Sequence, residues 1–296
     1  MPNSIALAEK FLAVLDGVYK AEAKTNILDA ANSEINFIGA NKANIFKLSS
    51  DGLGDYSRNG GYPTGSGTGA WETLTLSKDR GVSLSVDRMD NEETLDLAFG
   101  RLAGEFMRVS VIPEIDAYRT SVWASNAGAS ANADITVGTT DVPGLIDAGF
   151  ESMQDNEVPT DGSIIFVSPK AYNGLKAKIT RILANESDVS KVVETYDGHR
   201  VIVVPQGRMN TAITLNDGSS YFGFVPTAGG YKINFLIVHP TAVKNAIKLE
   251  MPKLFSPDEN QSADSWKLQF RLYHDSFVLA NKTHGIYLHR AATANT

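Results

Sequence analysis

Cysteine is absent from the 296 residues, which removes disulfide frameworks, thiolate metal sites and thiol nucleophiles together. Any assembly this chain joins must be held noncovalently or by other chemistry. Long apolar runs are missing too. No stretch approaches the roughly 20 apolar residues of a membrane span, and no basic segment followed by an apolar run opens the chain, so an intracellular, soluble product without membrane contacts is expected. Positive charge is scarce: Lys+Arg 27 against Asp+Glu 34 leaves a formal net charge of -7. Phosphate backbones attract clustered positive charge, so tight nucleic-acid binding is not expected. No Lys/Arg-rich stretch interleaves with aromatics as a single-strand groove requires, and the aromatics read as core.

Catalytic signatures are equally sparse. No Walker loop, nucleophile elbow or two-His helix motif occurs. Gly65-Ser66-Gly67-Thr68-Gly69-Ala70 fits the loose dinucleotide pattern, but a strand follows where the phosphate-binding helix should begin. The five histidines, at 199, 239, 274, 284 and 289, are scattered, and His284 and His289 would point apart on a strand that held both. Asp258, Asn260, Ser262 and Asp264 alternate like the start of a calcium loop, yet Ala263 stands where the turn needs Gly and Gln269 replaces the bidentate Glu, so a solvated acidic loop is expected. Glu92-Glu93 falls in the first turn of a helix, where acidic residues complement the macrodipole. No catalytic, cofactor-binding or metal-binding residue is predicted, and the chain is not expected to be an enzyme.

What is present is ordinary globular composition, 43% hydrophobic and 21% charged, long enough for one large or two modest domains. Ile5, Ala8, Phe11, Leu12, Leu15 and Tyr19 recur at helical spacing behind Ser4, predicting a short amphipathic arm over residues 4 to 20. That apolar face can lie on its own domain or on a neighbour. Asp51 to Ala70 is Gly-rich and apolar-poor, which predicts a long mobile loop. Next, 72–77 and 82–86 each alternate apolar and polar residues about Lys78-Asp79-Arg80-Gly81, predicting a β-hairpin with its turn there. Leu95, Phe99, Leu102, Phe106 and Val109 then mark an amphipathic helix, continued by Ile115, Tyr118 and Val122 past Pro113. A kinked helix of about 30 residues, bent near Ser110 to Pro113, follows.

Ala124 to Ala133 is small and polar and reads as a linker into a mixed α/β region. There Leu145, Ile146, Phe150 and Met153 predict a helix and Ile164 to Val167 a strand. Ser168-Pro169 starts a second helix through Tyr172, Leu175, Ile179 and Leu183. Val201 to Val204 and Tyr231 to Val238 read as buried central strands. After polar residues 256–265, Trp266, Leu268, Phe270 and Leu272 alternate with polar partners as a strand buried on one side. Two short strands, 277–280 and 286–288, flank a turn at 281–285.

This order of elements resembles the tailed-bacteriophage major capsid protein of the Hong Kong 97 type. Similar in detail are Val111-Ile112-Pro113-Glu114-Ile115-Asp116-Ala117-Tyr118-Arg119, Ser168-Pro169 before a helix, Val203-Val204-Pro205 through Arg208-Met209, and Lys253-Leu254-Phe255-Ser256-Pro257-Asp258 leading to Trp266 through Asp275 and Gly285-Ile286-Tyr287. The fold class implied is α+β: an N-terminal arm (1–42), an extended β-hairpin E-loop (43–90), a P domain of spine helix (91–127) and C-terminal strands (256–296), and an α/β A domain (128–255). The resemblance implies assembly through hexamers and pentamers into an icosahedral virion capsid around double-stranded DNA, within the bacterial host cytoplasm, with the E-loop over a neighbour's P domain. Hairpin features begin too early for a fused scaffold of about 100 residues, a domain's length, so a separate scaffolding protein and a portal are the implied partners. Cross-linking members need a loop Lys, a neighbour's Asn and a catalytic Glu. Lys78 and Asn281 have suitable types, but nothing places them together, and cross-linking is not expected. An acidic inner wall would let DNA pack without sticking.

Candidate assembly contacts are Trp71, Lys78, Asp79, Arg80, Arg101, Glu105 and Arg271, foremost the charged residues 78–80 at the expected hairpin turn. Alternative readings are an encapsulin-type shell, distinguished by packaged protein in place of a genome, and an α/β hydrolase-like enzyme using scattered carboxylates.

Overall fold

The computed structural model describes residues 23–32, 36–38, 42–93, 97–178 and 193–295. The amphipathic stripe of residues 4 to 20 lies outside the described residues, as do Leu95, Ile179 and Leu183. A 3-10 turn at Asn26–Asn32 leads to β1 (Asn36–Ile38) and β2 (Lys42–Ser50). β2 pairs antiparallel with β3 (Gly67–Thr75), from Lys42↔Thr75 to Ser50↔Gly67. The glycine-rich segment is therefore the tip of a long two-stranded projection.

β4 (Lys78–Asp87) follows, and it corrects the expected hairpin. Both alternating runs are strands, but they do not pair with each other, and Lys78 to Gly81 opens β4 instead of forming a turn. Two contacts explain the break between them. Leu76 is buried, and Ser77 gives both its N–H (2.8 Å) and its hydroxyl (2.9 Å) to the Asp275 carboxylate, which pulls the chain out of one sheet into another. Gly81 has no positive φ. A Cβ there would stand 3.1 Å from the Phe270 carbonyl, so glycine serves a close strand approach and not a turn.

The spine consists of α1 (Arg88–Glu93), α2 (Leu97–Phe106), a π turn at Met107–Val111 and α3 (Ile112–Ser125). The irregularity expected before Pro113 takes the form of that π turn. The Ile112 N–H bonds the Met107 carbonyl, an i→i−5 closure that takes up an extra residue just before the proline, which has no N–H to give. The extra residue lengthens the repeat of the buried face to steps of four through Ala103, Met107 and Val111. Val109, expected on the apolar face, is consequently 59% exposed.

Beyond the spine come β5 (Ala129–Asn132), α4 (Val142–Asp155), β6 (Ile164–Val167), α5 (Pro169–Lys178), β7 (Thr195–Tyr196) and β8 (His199–Val203). They are followed by β9 (Ile213–Leu215), β10 (Phe224–Pro226), β11 (Tyr231–Val238), β12 (Val243–Phe255), β13 (Ser265–Val278) and β14 (Ile286–Ala294). A six-stranded sheet has the order β5-β14-β11-β6-β8-β7. Its centre is covered on both faces, which is why β6 and β11 read as continuous apolar runs. Ile165, Val167, Phe235 and Ile237 face Ile146, Phe150 and Leu175 of α4 and α5. Phe166, Leu236, Val238 and Leu288 face Trp123 of α3. A register shift between Ile233 and Phe235 puts these two, which ordinary alternation would align, on opposite faces.

The second main sheet, β12-β13-β4, lays Leu268, Phe270 and Leu272 against the spine's Met107, Val111 and Ile115. Membership of the two sheets departs from the division expected along the chain. β12, expected with the α/β insert, pairs with β13 from Val243↔Val278 to Phe255↔Lys267, whereas β14, expected with the C-terminal strands, joins the six-stranded sheet. Residues 266–273 and 277–278 form one strand rather than two. α3 serves both sheets, with Ile112 and Ile115 packed on one and Trp123 and Ala124 on the other; it is buried nearly all round, with Asp116, Arg119 and Thr120 among its buried residues. Asp116 accepts from the Lys24 and Thr25 amides (3.2 and 3.1 Å), the Thr25 hydroxyl (2.7 Å) and Arg208 (3.1 Å). Arg119 pairs with Asp29 at 3.1 Å, so both charges have partners inside the fold.

Candidate assembly surface

The projection formed by β2 and β3 is tied at its tip by local bonds. Asp51 accepts from the Ser66 amide at 2.7 Å and donates its own amide to the Ser66 carbonyl at 3.1 Å. Ser57 and Gly61 exchange backbone bonds of 3.1 and 2.7 Å around a tight turn, with Gly61 at φ +78 where an L side chain would be strained. The rings of Tyr56 and Tyr62 meet at 5.0 Å, yet both remain exposed, and Leu53 is fully exposed. Trp71 on β3 is 60% exposed. Leu53, Tyr56 and Tyr62 escaped notice in the sequence because isolated apolar residues in a glycine-rich run carry no periodicity.

Four of the remaining candidate contacts lie on the β4 and β13 ladder, and the structure gives them partners within the chain. Arg80 grips Glu114 of α3 with Nε (2.6 Å) and Nη2 (3.1 Å), and also donates to the carbonyls of Asn216 (2.6 Å) and Gly223 (3.4 Å). It ties a sheet, the spine and the 216–223 segment together, where a hairpin turn carrying assembly contacts was expected. Asp79 and Arg271 form a two-pronged exposed pair at 2.9 and 2.6 Å, which holds the Asp79 carboxyl below its ordinary range. Lys78 stands 5.6 Å over the Tyr118 ring. Arg101 and Glu105 are exposed one helical turn apart on α2, and Arg108 lies 3.6 Å from Glu105. Trp71, on the other sheet, is not brought to this ladder.

Between β4, the π turn and the 216–224 segment runs a groove of about 570 Å³. Val82, Leu84, Phe106, Val109 and Phe222 line it, with the Arg80–Glu114 pair at one side. Phe222 is 73% exposed and its neighbour Tyr221 75%. No signal in the sequence marked these two as surface residues.

Among the described residues, no group of three His, Asp or Glu side chains is arranged to hold a metal ion. In the acidic stretch, Asn260 donates to Ser265 and accepts from Ser262, while Asp258 and Asp264 stand 4.0 and 3.8 Å from Arg88. His274 is buried with both ring nitrogens unbonded, edge-on to Tyr118 at 5.5 Å, and burial with the nearby Arg119 charge pushes it down to about 4. Asp275 beside it accepts from the Tyr118 hydroxyl at 2.6 Å. His289 stacks on Phe235 at 4.8 Å, and its Nδ1 meets the Asn234 amide at 3.1 Å. No described helix is long and apolar enough to cross a membrane.

No family model matches the sequence, and no curated protein matches it. Solved structures do. The chain is similar to a structure described as the asymmetric unit of the bacteriophage PhiM1 mature capsid, with TM-score 0.60 and 12% identity over 86% of this chain and 83% of that one. A structure from Gordonia phage Cozz gives TM-score 0.61 and 12% identity over 90% and 87%. A virus-like particle from Pyrococcus furiosus gives 0.56 and 9% over 95% and 98%. At such identities the likeness is one of fold: a mixed helix and sheet architecture shared with phage capsid structures.

Proposed function

We propose that this chain is a shell-building subunit, the major capsid protein of a tailed bacteriophage, assembling through hexamers and pentamers into an icosahedral head around double-stranded DNA. One observation carries the reading: in a fold shared with capsid structures over most of both chains, a long strand pair ends in the largely exposed apolar residues Leu53, Tyr56 and Tyr62. A hairpin with no sheet or helix packed on it is marginal in water. Leu53, Tyr56, Tyr62 and Trp71 are therefore assigned to contact with a neighbouring subunit, in the role of an E-loop.

In this reading the P domain combines the spine with β4, β12 and β13, and the A domain is built on the six-stranded sheet and meets its copies around the hexamer and pentamer axes. A separate scaffolding protein and a portal are further partners. The net charge of -7 suits a wall that encloses DNA without sticking to it. The role is structural, and no catalytic step is assigned. Electron microscopy of the purified protein across salt and concentration tests it: shells, rings or tubes are expected, and a monodisperse monomer throughout overturns it. The second and weaker reading is an encapsulin-type compartment; the Pyrococcus furiosus structure is described as a virus-like particle. Nucleic acid inside native particles supports the phage head, and packaged enzyme the compartment.

A further inference from the structure

Two Asn-Gly dipeptides occur in the chain, Asn59-Gly60 and Asn173-Gly174, and the fold treats them differently. Both asparagines are exposed, so access to water does not separate them. Asn173 and Gly174 lie in the middle of α5, where the helical ladder engages the backbone N–H groups and fixes φ and ψ. Glycine is required there by packing, since a Cβ on Gly174 would stand 2.7 Å from Cγ2 of Val142. Asn59 and Gly60 lie instead in the tight turn between Ser57 and Gly61 at the end of the β2–β3 projection, and both are exposed. The Gly60 N–H donates to the Ser57 hydroxyl at 3.1 Å, an exposed bond for which water competes. With no Cβ on Gly60, nothing on that residue shields its nitrogen from the Asn59 side chain.

We propose that Asn59 is a self-modifying site, at which the side-chain amide becomes a carboxylate without an enzyme, while Asn173 is protected by its helix. The Gly60 nitrogen, having given its proton to solvent base, attacks Cγ of Asn59. An N–C bond forms, the bond from Cγ to Nδ2 breaks, and ammonia leaves with a proton taken from solvent. Water then opens the cyclic imide at either carbonyl, leaving aspartate or, with the backbone rerouted through Cβ, isoaspartate. The net change turns an amide and a water into a carboxylate and an ammonium ion, so no oxidant or cofactor enters. In α5 the Gly174 nitrogen can attack only after the helix opens locally. Conversion adds a negative charge to the turn flanked by Tyr56 and Tyr62, whose rings meet at 5.0 Å. The modification belongs to the single chain, whereas its effect on assembly rests on the shell reading, which assigns those tyrosines to contact with a neighbouring subunit.

Mass spectrometry of the full chain tests it, after incubation at mildly alkaline pH in water enriched in heavy oxygen and digestion in ordinary water. Cleavage at lysine releases Asn59 in peptide 48–78 and Asn173 in peptide 171–176, and fragmentation locates the label within each. In the folded protein residue 59 should take up label at least about tenfold faster than residue 173, which waits on helix opening. In denaturant the two should convert at similar rates. Asn59→Gln, which needs a larger ring, should leave residue 59 unlabelled. Equal rates in the folded protein, label at residue 59 of Asn59→Gln, or an Asn59 unchanged over an incubation that converts Asn173 in denaturant each overturns the proposal. Assembly is scored separately: aged parent subunit should form fewer particles than equally aged Asn59→Gln, and equal yields overturn the effect on assembly. A lack of particles from both proteins, fresh or aged, tells against the shell reading, and the mass result still decides the modification.

Discussion

Arg80→Ala should lower the stability of the unassembled subunit by about 2 to 4 kcal/mol, somewhat below the range for breaking a fully buried pair because some solvent reaches this one. The arithmetic starts from exposure: the Arg80 and Glu114 side chains are 24% and 14% exposed, and their contacts are 2.6 and 3.1 Å. Truncation leaves the Glu114 carboxylate without its partner and frees two carbonyls, those of Asn216 and Gly223. For a chain of this size each kcal/mol moves the melting temperature by roughly 2 to 4 °C, so a drop of about 4 to 16 °C is expected in thermal melts followed by circular dichroism. Arg80→Glu should be worse, since it sets a second carboxylate against Glu114. The double variant with Glu114→Ala separates the pair from the rest, and a coupling of about 1 to 3 kcal/mol is expected. If Arg80→Ala melts within about 1 °C of the parent and the coupling is near zero, Arg80 is not a brace of the subunit and the reasoning is refuted.

Two further outcomes can be measured on the same material. His274 is held near 4 in the folded chain against an ordinary value of 6.5; a depressed histidine keeps its full contribution above the unfolded value, so stability should fall by up to about 3 kcal/mol as pH drops from roughly 6.5 to 4. Denaturant midpoints should show a shallower decline for His274→Phe, the residual slope coming from His289, which is lowered in the same direction, and equal slopes would count against the assignment. Gly128→Ala would set a Cβ 2.6 Å from the backbone of Thr283 and His284, and should cost about 1 to 3 kcal/mol; an unchanged melting temperature would contradict that close approach.

Strand alternation between residues 72 and 86 was legible, but the partners were not. Alternation reports which face is wet, whereas Arg80 pairs with Leu272 of a strand far along the chain, and only the fold brings them together. The spine was legible from its stripe and Pro113, while the π turn that moves Val109 to the surface was not, because one extra residue leaves no mark in composition. β6 and β11 could be read as central from unbroken apolar runs. β12 could not, for Pro252 lies inside it, tolerated because β12 is the sheet's edge. At the candidate surface, Trp71, Arg101 and Glu105 are exposed as contact residues must be, but charge alone could not separate the internal brace at Arg80 from a surface contact.

The pairing of β12 with β13 has a mechanical consequence. Its ladder begins at Val243 in the cluster beneath the six-stranded sheet and reaches Leu254 in the cluster on the spine, so one pair of strands spans both halves of the molecule, with α3 lying across the same span. Bending one half against the other would shear a strand ladder whose one register shift falls between Ile247 and Leu249, and tear charges such as Asp116 from their partners. The body therefore behaves as a single stiff tile. The projection joins this body at Leu76 and Ser77, where Leu76 is buried, Ser77 donates to the Asp275 carboxylate and the Tyr273 hydroxyl donates to the Leu76 carbonyl.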